Sequence, residues 1–281
     1  MAASPRVRVA KAAVAAVALA VAVGGEATVA KALSEGGLQR TTADRPADQR
    51  MLAPAAVSRS LSRAPLVKAS PVKAPLVKDV PQRRVLLGLP ARLSPDGAGI
   101  DVGYADAPVV LTVFEDFRCS TTAAFEARQG AKLAAMAAAH QVLVRYVLES
   151  SLDQRLPGPG ALLATNAARA ALAHGGFPEY HALLFANQPD EYTDGFTEAR
   201  LLQLGSSVPH LRGPAFDAEL HDLWYRSWVG QAQTAYTDAK VHHGTPSMLL
   251  NGQEVDLGAQ PKLLTDPAAL GALVQQAAKS N

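Results

Sequence analysis

The sequence predicts an α/β domain, a central mixed sheet flanked by helices and interrupted by an all-helical block, behind a long non-globular N-terminal arm. Three observations predict it. All fifteen aromatic residues of the 281-residue chain lie between Tyr104 and Tyr236, and aromatics are the largest blocks of buried surface in a packed core. The charges divide at nearly the same place: residues 1–95 hold fifteen Lys and Arg against five Asp and Glu, net +10, and residues 96–281 hold twelve against twenty, net −8. Beyond residue 100, strand-like and helix-like stretches follow in the order strand, strand–helix–strand, a block of helices, a hairpin and a terminal helix. The overall charge of +2 therefore describes neither half and says nothing about partners.

The arm opens with Arg6, Arg8 and Lys11, then an uncharged Ala- and Val-rich run from Ala12 to Gly25. That run is shorter than the ~20 apolar residues of a spanning helix. With Ala30-Lys31-Ala32 as a small-residue cleavage pattern, residues 1–33 are expected to be a signal peptide or a signal anchor. Residues 34–97 are rich in Pro, Arg and Lys, and Ala64-Pro65-Leu66-Val67-Lys68 recurs as Ala74-Pro75-Leu76-Val77-Lys78. Frequent proline blocks helix and ladder formation and favours an extended spacer. A linker is expected here, either a solvated spacer or a polybasic contact to membrane or cell wall. Its basic residues alternate with prolines and not with aromatics, so nucleic-acid binding by base stacking has no support.

The ordered domain is expected over 98–281. Val109–Phe114 is a β-branched apolar run that Glu115-Asp116 should end. Ala123–His140 reads as a helix from its Ala, Leu, Met and Glu content, with Ser120, Thr121 and Thr122 where its N-cap would be. Gln141–Leu148 is the next strand, and strand–helix–strand with short connections implies a parallel pair. Helices follow over Ala161–His174, Pro178–Asn187, Thr197–Leu204 and Phe216–Lys240, an insertion of about 152–241. Trp224 and Trp228, four apart in the last of these, should share a helical face. Ser247–Leu250 and Gln253–Asp256 flank Asn251-Gly252, a strong short-range hairpin signal, and Pro267–Lys279 closes the domain as a helix.

Cys119 is the single cysteine. It excludes an intramolecular disulfide, a cysteine-based zinc cluster and a C-x-x-C redox pair. His242-His243 would point to opposite faces of a strand and no third ligand is evident, so no metal is expected. A Cys-His hydrolase on Cys119 lacks local support.

Three stretches in this order and spacing, Gly103 to Phe125, the helical block, and His243-Gly244-Thr245-Pro246-Ser247 leading to Asn251-Gly252, resemble the DsbA-type branch of the thioredoxin superfamily. The resemblance covers about Ile100 to Asn281 and implies a thioredoxin-like fold with an inserted helical subdomain. It implies that Cys119 is the nucleophilic cysteine and Pro246 a cis-proline that, with Thr245 before it, positions substrate. The family's second cysteine is here Thr122, within Cys119-Ser120-Thr121-Thr122.

The chemistry also follows from the residues. A thiol at a helix start faces unpaired N–H groups and the positive end of the helix dipole, both favouring thiolate. Arg118 would add to that, and Glu115 and Asp116 would oppose it. A thiolate can attack a disulfide, but completing the exchange needs a second thiol, which Thr122 cannot supply. The leading expectation is a monothiol exchange protein outside the cytoplasm, secreted or membrane-anchored, that acts on extended or unfolded exported polypeptides. It would have no bound cofactor and would be resolved by an external low-molecular-weight thiol. The alternatives are a peptide-binding or chaperone-like module of the same fold without turnover, and a relative that orients a thiol cofactor through Ser120 or Cys119 for group transfer.

Overall fold

The computed structural model describes residues 76–280. The expected signal segment and the linker up to residue 75 lie outside the described residues.

The sheet has six strands: β1 (Ala91–Leu93), β2 (Ile100–Val102), β3 (Val110–Asp116), β4 (Leu143–Glu149), β5 (Ser247–Leu250) and β6 (Gln253–Glu254). Their spatial order is β1-β2-β4-β3-β5-β6. β3 and β4 run parallel, joined by α2 (Ser120–Ala138), as the strand–helix–strand pattern predicts; the other pairs are antiparallel. β3 is central, and Leu111 to Asp116 are buried throughout. Leu111 and Val113 join the main core. Phe114, one step out of phase, packs with Val147 and Ala232 in a smaller core against α7 (Arg226–Ala239). At the hairpin, Asn251 and Gly252 take φ of 49° and 83°, the left-handed pair that a two-residue turn between twisted strands requires.

The insertion supplies α3 (Gly160–Ala173), α4 (Phe177–Ala186), α5 (Glu198–Gly205), α6 (Pro214–His221) and α7, and α8 (Pro267–Ser280) closes the chain against α2. α3 presents Ala161, Ala164, Ala167, Ala168 and Ala171 as a fully buried small-residue face, which lets α4 and α6 approach closely.

Four local expectations need correction. β3 runs two residues past Phe114, because Glu115 and Asp116 pair in parallel register with Leu148 and Glu149. α2 starts at Ser120 with Cys119 as its extended N-cap, φ −69° and ψ 116°; Ser120, Thr121 and Thr122 form its first turn and make no side-chain cap. The helix expected over Phe216–Lys240 is two helices, broken where Leu223 adopts φ 50°. Trp224 and Trp228 therefore do not share a face. Trp228 is buried and its indole N–H donates to Gly97 O at 2.7 Å, and Trp224 is 69% exposed. The expected linker also contains secondary structure, α1 (Arg83–Leu86) and β1.

One side chain binds both backbone groups of Val77, in the second unit of the repeat. Asn187, the C-cap of α4, accepts the Val77 N–H at 2.7 Å and donates to the Val77 carbonyl at 2.8 Å, while also donating to Leu183 O. Truncation leaves both Val77 backbone groups without these partners, a cost of about 1–2 kcal/mol. Asn187→Ala should therefore lower the urea midpoint and make trypsin cleave after Lys78 faster than in wild type.

Candidate active site

β3 ends by delivering Phe117, Arg118 and Cys119 into a tight turn. The Cys119 N–H donates to Asp116 O at 3.0 Å, and the Asp116 carboxylate accepts the Arg118 N–H at 2.8 Å. The insertion grips this turn from outside. Gln188 Nε2 donates to Phe117 O and Cys119 O, at 2.7 and 2.9 Å. The Arg118 guanidinium, 2% exposed, donates to Asp153 at 2.8 Å and to the carbonyls of Gly158, Glu191 and Thr193. Arg118 thus points into the insertion and anchors the turn there.

Cys119 is partly exposed. Its Sγ donates to Thr245 O at 3.1 Å, and the Thr245–Pro246 peptide bond is cis. The structure brings Cys119, Thr245 and Pro246 together at the N-terminus of α2. Ser120 and Thr121 are exposed beside it, and Thr122 is fully buried with no partner for its hydroxyl. A carboxylate not singled out by the sequence lies here too: Glu191 Oε2 accepts the Ser120 N–H at 3.2 Å, occupying one of the α2 donors that would otherwise face an anion at Cys119.

Glu115 and Asp116 do not act on the thiol as a pair of exposed charges. They are buried on opposite faces of the sheet. Asp116 shares its side with Glu149, and burial, then the charge of Glu149, pushes the Asp116 carboxyl well above its usual range. Burial also raises Glu149. Glu115 faces α2 and α4. Its Oε2 lies 2.7 Å from His181 Nε2, and Glu126 of α2 completes a buried trio. Burial pushes both glutamates up to about 8 and the imidazole down, with the charge of Glu115 adding to the rise at Glu126. Nothing local in the sequence flagged Gln188, Glu191, Glu126 or His181. His242 and His243 pair separately with Glu254 and Asp256 on the hairpin side and share no ligand position.

A sheet with a parallel β3–α2–β4 unit, a helical insertion before the last hairpin, and a thiol at a helix start facing a cis-proline loop define a thioredoxin-type fold enlarged by helices. The thioredoxin family model matches residues 96–266, and the chain belongs to that family. Among solved structures it is similar to the disulfide bond oxidoreductase DsbG of Mycobacterium tuberculosis, at 23% identity and TM-score 0.53, over 63% of this chain and 85% of that one. It is similar to oxidised DsbA of the same organism, at 22% and 0.54, over 64% and 92%. BdbD of Bacillus subtilis matches at 18% and 0.56, over 68% and 98%. At these identities the likeness is one of fold. No curated protein matches the chain.

Two outcomes follow from the buried polar groups. Thr122→Val keeps the shape and removes a buried hydroxyl without a partner, so the variant should be more stable by about 1 kcal/mol, read as a raised melting temperature. The second concerns pH. Glu115 and Glu126 hold their protons to about 8 in the folded chain and release them near 4.5 when unfolded. Between these values the folded state binds more protons, so stability falls as pH rises through the window, by up to about 1.4 kcal/mol per pH unit for each carboxyl. His181 acts oppositely, since its lowered pKa makes the unfolded state the better proton binder, but only below about 6.5. Melting temperatures in EDTA should therefore drop from pH 6.5 to 8, and less in Glu126→Gln.

Proposed function

We propose that the protein is an extracytoplasmic thiol–disulfide exchange protein that works through Cys119 alone on extended segments of exported polypeptides. The observation that carries the reading is the single partly exposed thiol at the α2 N-terminus, 3.1 Å from the backbone of the cis-proline loop. As thiolate, Cys119 attacks one sulfur of a substrate disulfide. A Cys119–substrate disulfide forms, the substrate's S–S bond breaks, and the other substrate sulfur leaves as thiolate. A second thiolate then attacks the substrate sulfur of the mixed disulfide and releases Cys119 as thiolate. If that thiolate belongs to the substrate, the result is isomerisation with no net redox change. If it belongs to an external low-molecular-weight thiol, the substrate keeps a mixed disulfide with it.

The Thr245 backbone beside Cys119 suits pairing with an extended chain as an added strand, and Tyr192, 71% exposed and adjacent to Glu191, offers an aromatic surface at the same edge. The basic start and apolar run at the N-terminus support export, as a cleaved signal or an anchor, with the linker as a tether. Thr122 at the second-cysteine position and the Glu191 carboxylate on the α2 terminus favour a second reading, a peptide-binding module of the same fold without turnover.

Scrambled ribonuclease refolded with glutathione and the purified chain separates the two. The exchange reading expects regained activity that disappears in Cys119→Ala, with a mixed disulfide at Cys119 detectable by mass spectrometry after acid quench. Peptide binding retained in Cys119→Ala, with no refolding by wild type, would establish the second reading. Thr122→Cys restores the dithiol and should add oxidation of a reduced peptide that wild type does not perform.

A further inference from the structure

The buried trio behind the active-site turn is more than a polar defect in the core. Glu115 comes from β3, Glu126 from α2 and His181 from α4. Their candidate ligand atoms, one imidazole nitrogen and two carboxylate oxygens, all lie within 4.8 Å of one another. Glu115 Oε1 and Glu126 Oε1 are both buried and receive no N–H or O–H donor from the rest of the chain; the two carboxyls hydrogen-bond each other when one carries a proton. Ionised carboxylates only accept hydrogen bonds, so such oxygens in a dry core call for a proton or a cation. A cavity of about 20 Å³ borders Glu126 and His181 and is otherwise walled largely by apolar side chains such as Leu133 and Val144. That is room for one water.

We propose that Glu115, Glu126 and His181 form a binding site for a four-coordinate divalent transition ion of the Zn²⁺ class, with a water from the adjoining cavity as fourth ligand. One imidazole and two carboxylates with an open position is a donor set zinc accepts, at bond lengths of about 2.0–2.2 Å. Side-chain adjustment within the trio reaches that spacing, with the 2.7 Å His181–Glu115 contact opening as the ion enters. Calcium is disfavoured, since it needs about six to eight oxygen ligands and the small cavity cannot supply the missing waters. Charge also balances: two carboxylates, a neutral imidazole and a dication sum to zero. The other titratable group facing the trio is Tyr146 of β4, whose ring lies 4.4 Å from that of His181 and whose hydroxyl burial keeps protonated.

The surroundings leave space for this. Gly130, one turn beyond Glu126, has no Cβ; one there would meet Glu126 Oε2 at 2.9 Å and Gln82 Nε2 at 3.2 Å. Glu126 and Gln82 also border an open groove of about 240 Å³, which provides a path from solvent past the Gln82 side chain. An ion held here would tie the sheet to the helical insertion through α4, directly behind the turn that carries Cys119.

The test uses the full chain, stripped with chelator and dialysed against ZnCl₂, with bound metal counted by mass spectrometry. One zinc per chain is expected in wild type, in Cys119→Ser and in the His242→Gln/His243→Gln double variant. His181→Gln should lose affinity at least tenfold. Cobalt(II) in Cys119→Ser should give the visible bands of a four-coordinate ion without thiolate charge transfer. Gly130→Ala keeps every ligand but crowds Glu126, and should weaken binding if His181→Gln does not fold. Zinc that is lost in Cys119→Ser or in the double histidine variant, zinc retained at full affinity in both His181→Gln and Gly130→Ala, or failure of wild type to bind a stoichiometric equivalent would overturn the site.

Discussion

β3 is buried on both faces to its last residue, and the rest of the site follows from that constraint. Because the strand is central and pairs with β4 through Asp116, the two acids that close it enter the interior, one on each side. Each must find polar company or keep its proton. Asp116 meets both needs partly, with the N–H groups of Arg118 and Leu152 and the neighbouring Glu149. Glu115 turns to His181 and Glu126. The carboxyls that look in sequence like charges beside a thiol are instead the polar floor on which the thiol-bearing turn rests.

The turn itself is held by the insertion. Gln188 binds the carbonyls on either side of Arg118, and Arg118 reaches outward to Asp153 and three carbonyls. The helical block is therefore a structural part of the site, because without it two carbonyls of the turn and a buried guanidinium would lose their partners. Glu191, on the same loop, sets a carboxylate at the α2 terminus where an anion at Cys119 would also be favoured. The helix start that carries Cys119 and the loop that carries Glu191 are thus parts of one hydrogen-bonded unit.

Much of the architecture was legible because its signals are local. A β-branched run, an Asn-Gly turn and Gly- or Pro-marked helix ends each reflect constraints within a few residues, and β3, β4, the hairpin and α3 to α5 lie close to where such signals place them. The short strand β1 left no comparable trace: it is three residues long and is defined by pairing, Leu93 with Ile100. The break between α6 and α7 was hidden because Leu223 carries no turn chemistry; the fold imposes its left-handed φ.

The sequence by itself determined the inventory. It established one thiol, a threonine where a second would sit, a Gly-Thr-Pro ahead of the last hairpin, and the division between a basic arm and an acidic domain. Tertiary structure decided which groups meet. Glu115, Glu126 and His181 are separated by eleven and fifty-five positions, and no periodicity within a helix or strand links them. Their meeting depends on how α2 and α4 cross the face of β3. Arg118 follows the same rule: its neighbours in sequence are the thiol and the acids, but its hydrogen-bond partners are Asp153 and the insertion loop. Pairing of buried polar groups is set by packing across the whole core, and that information is not carried by any one segment of the chain.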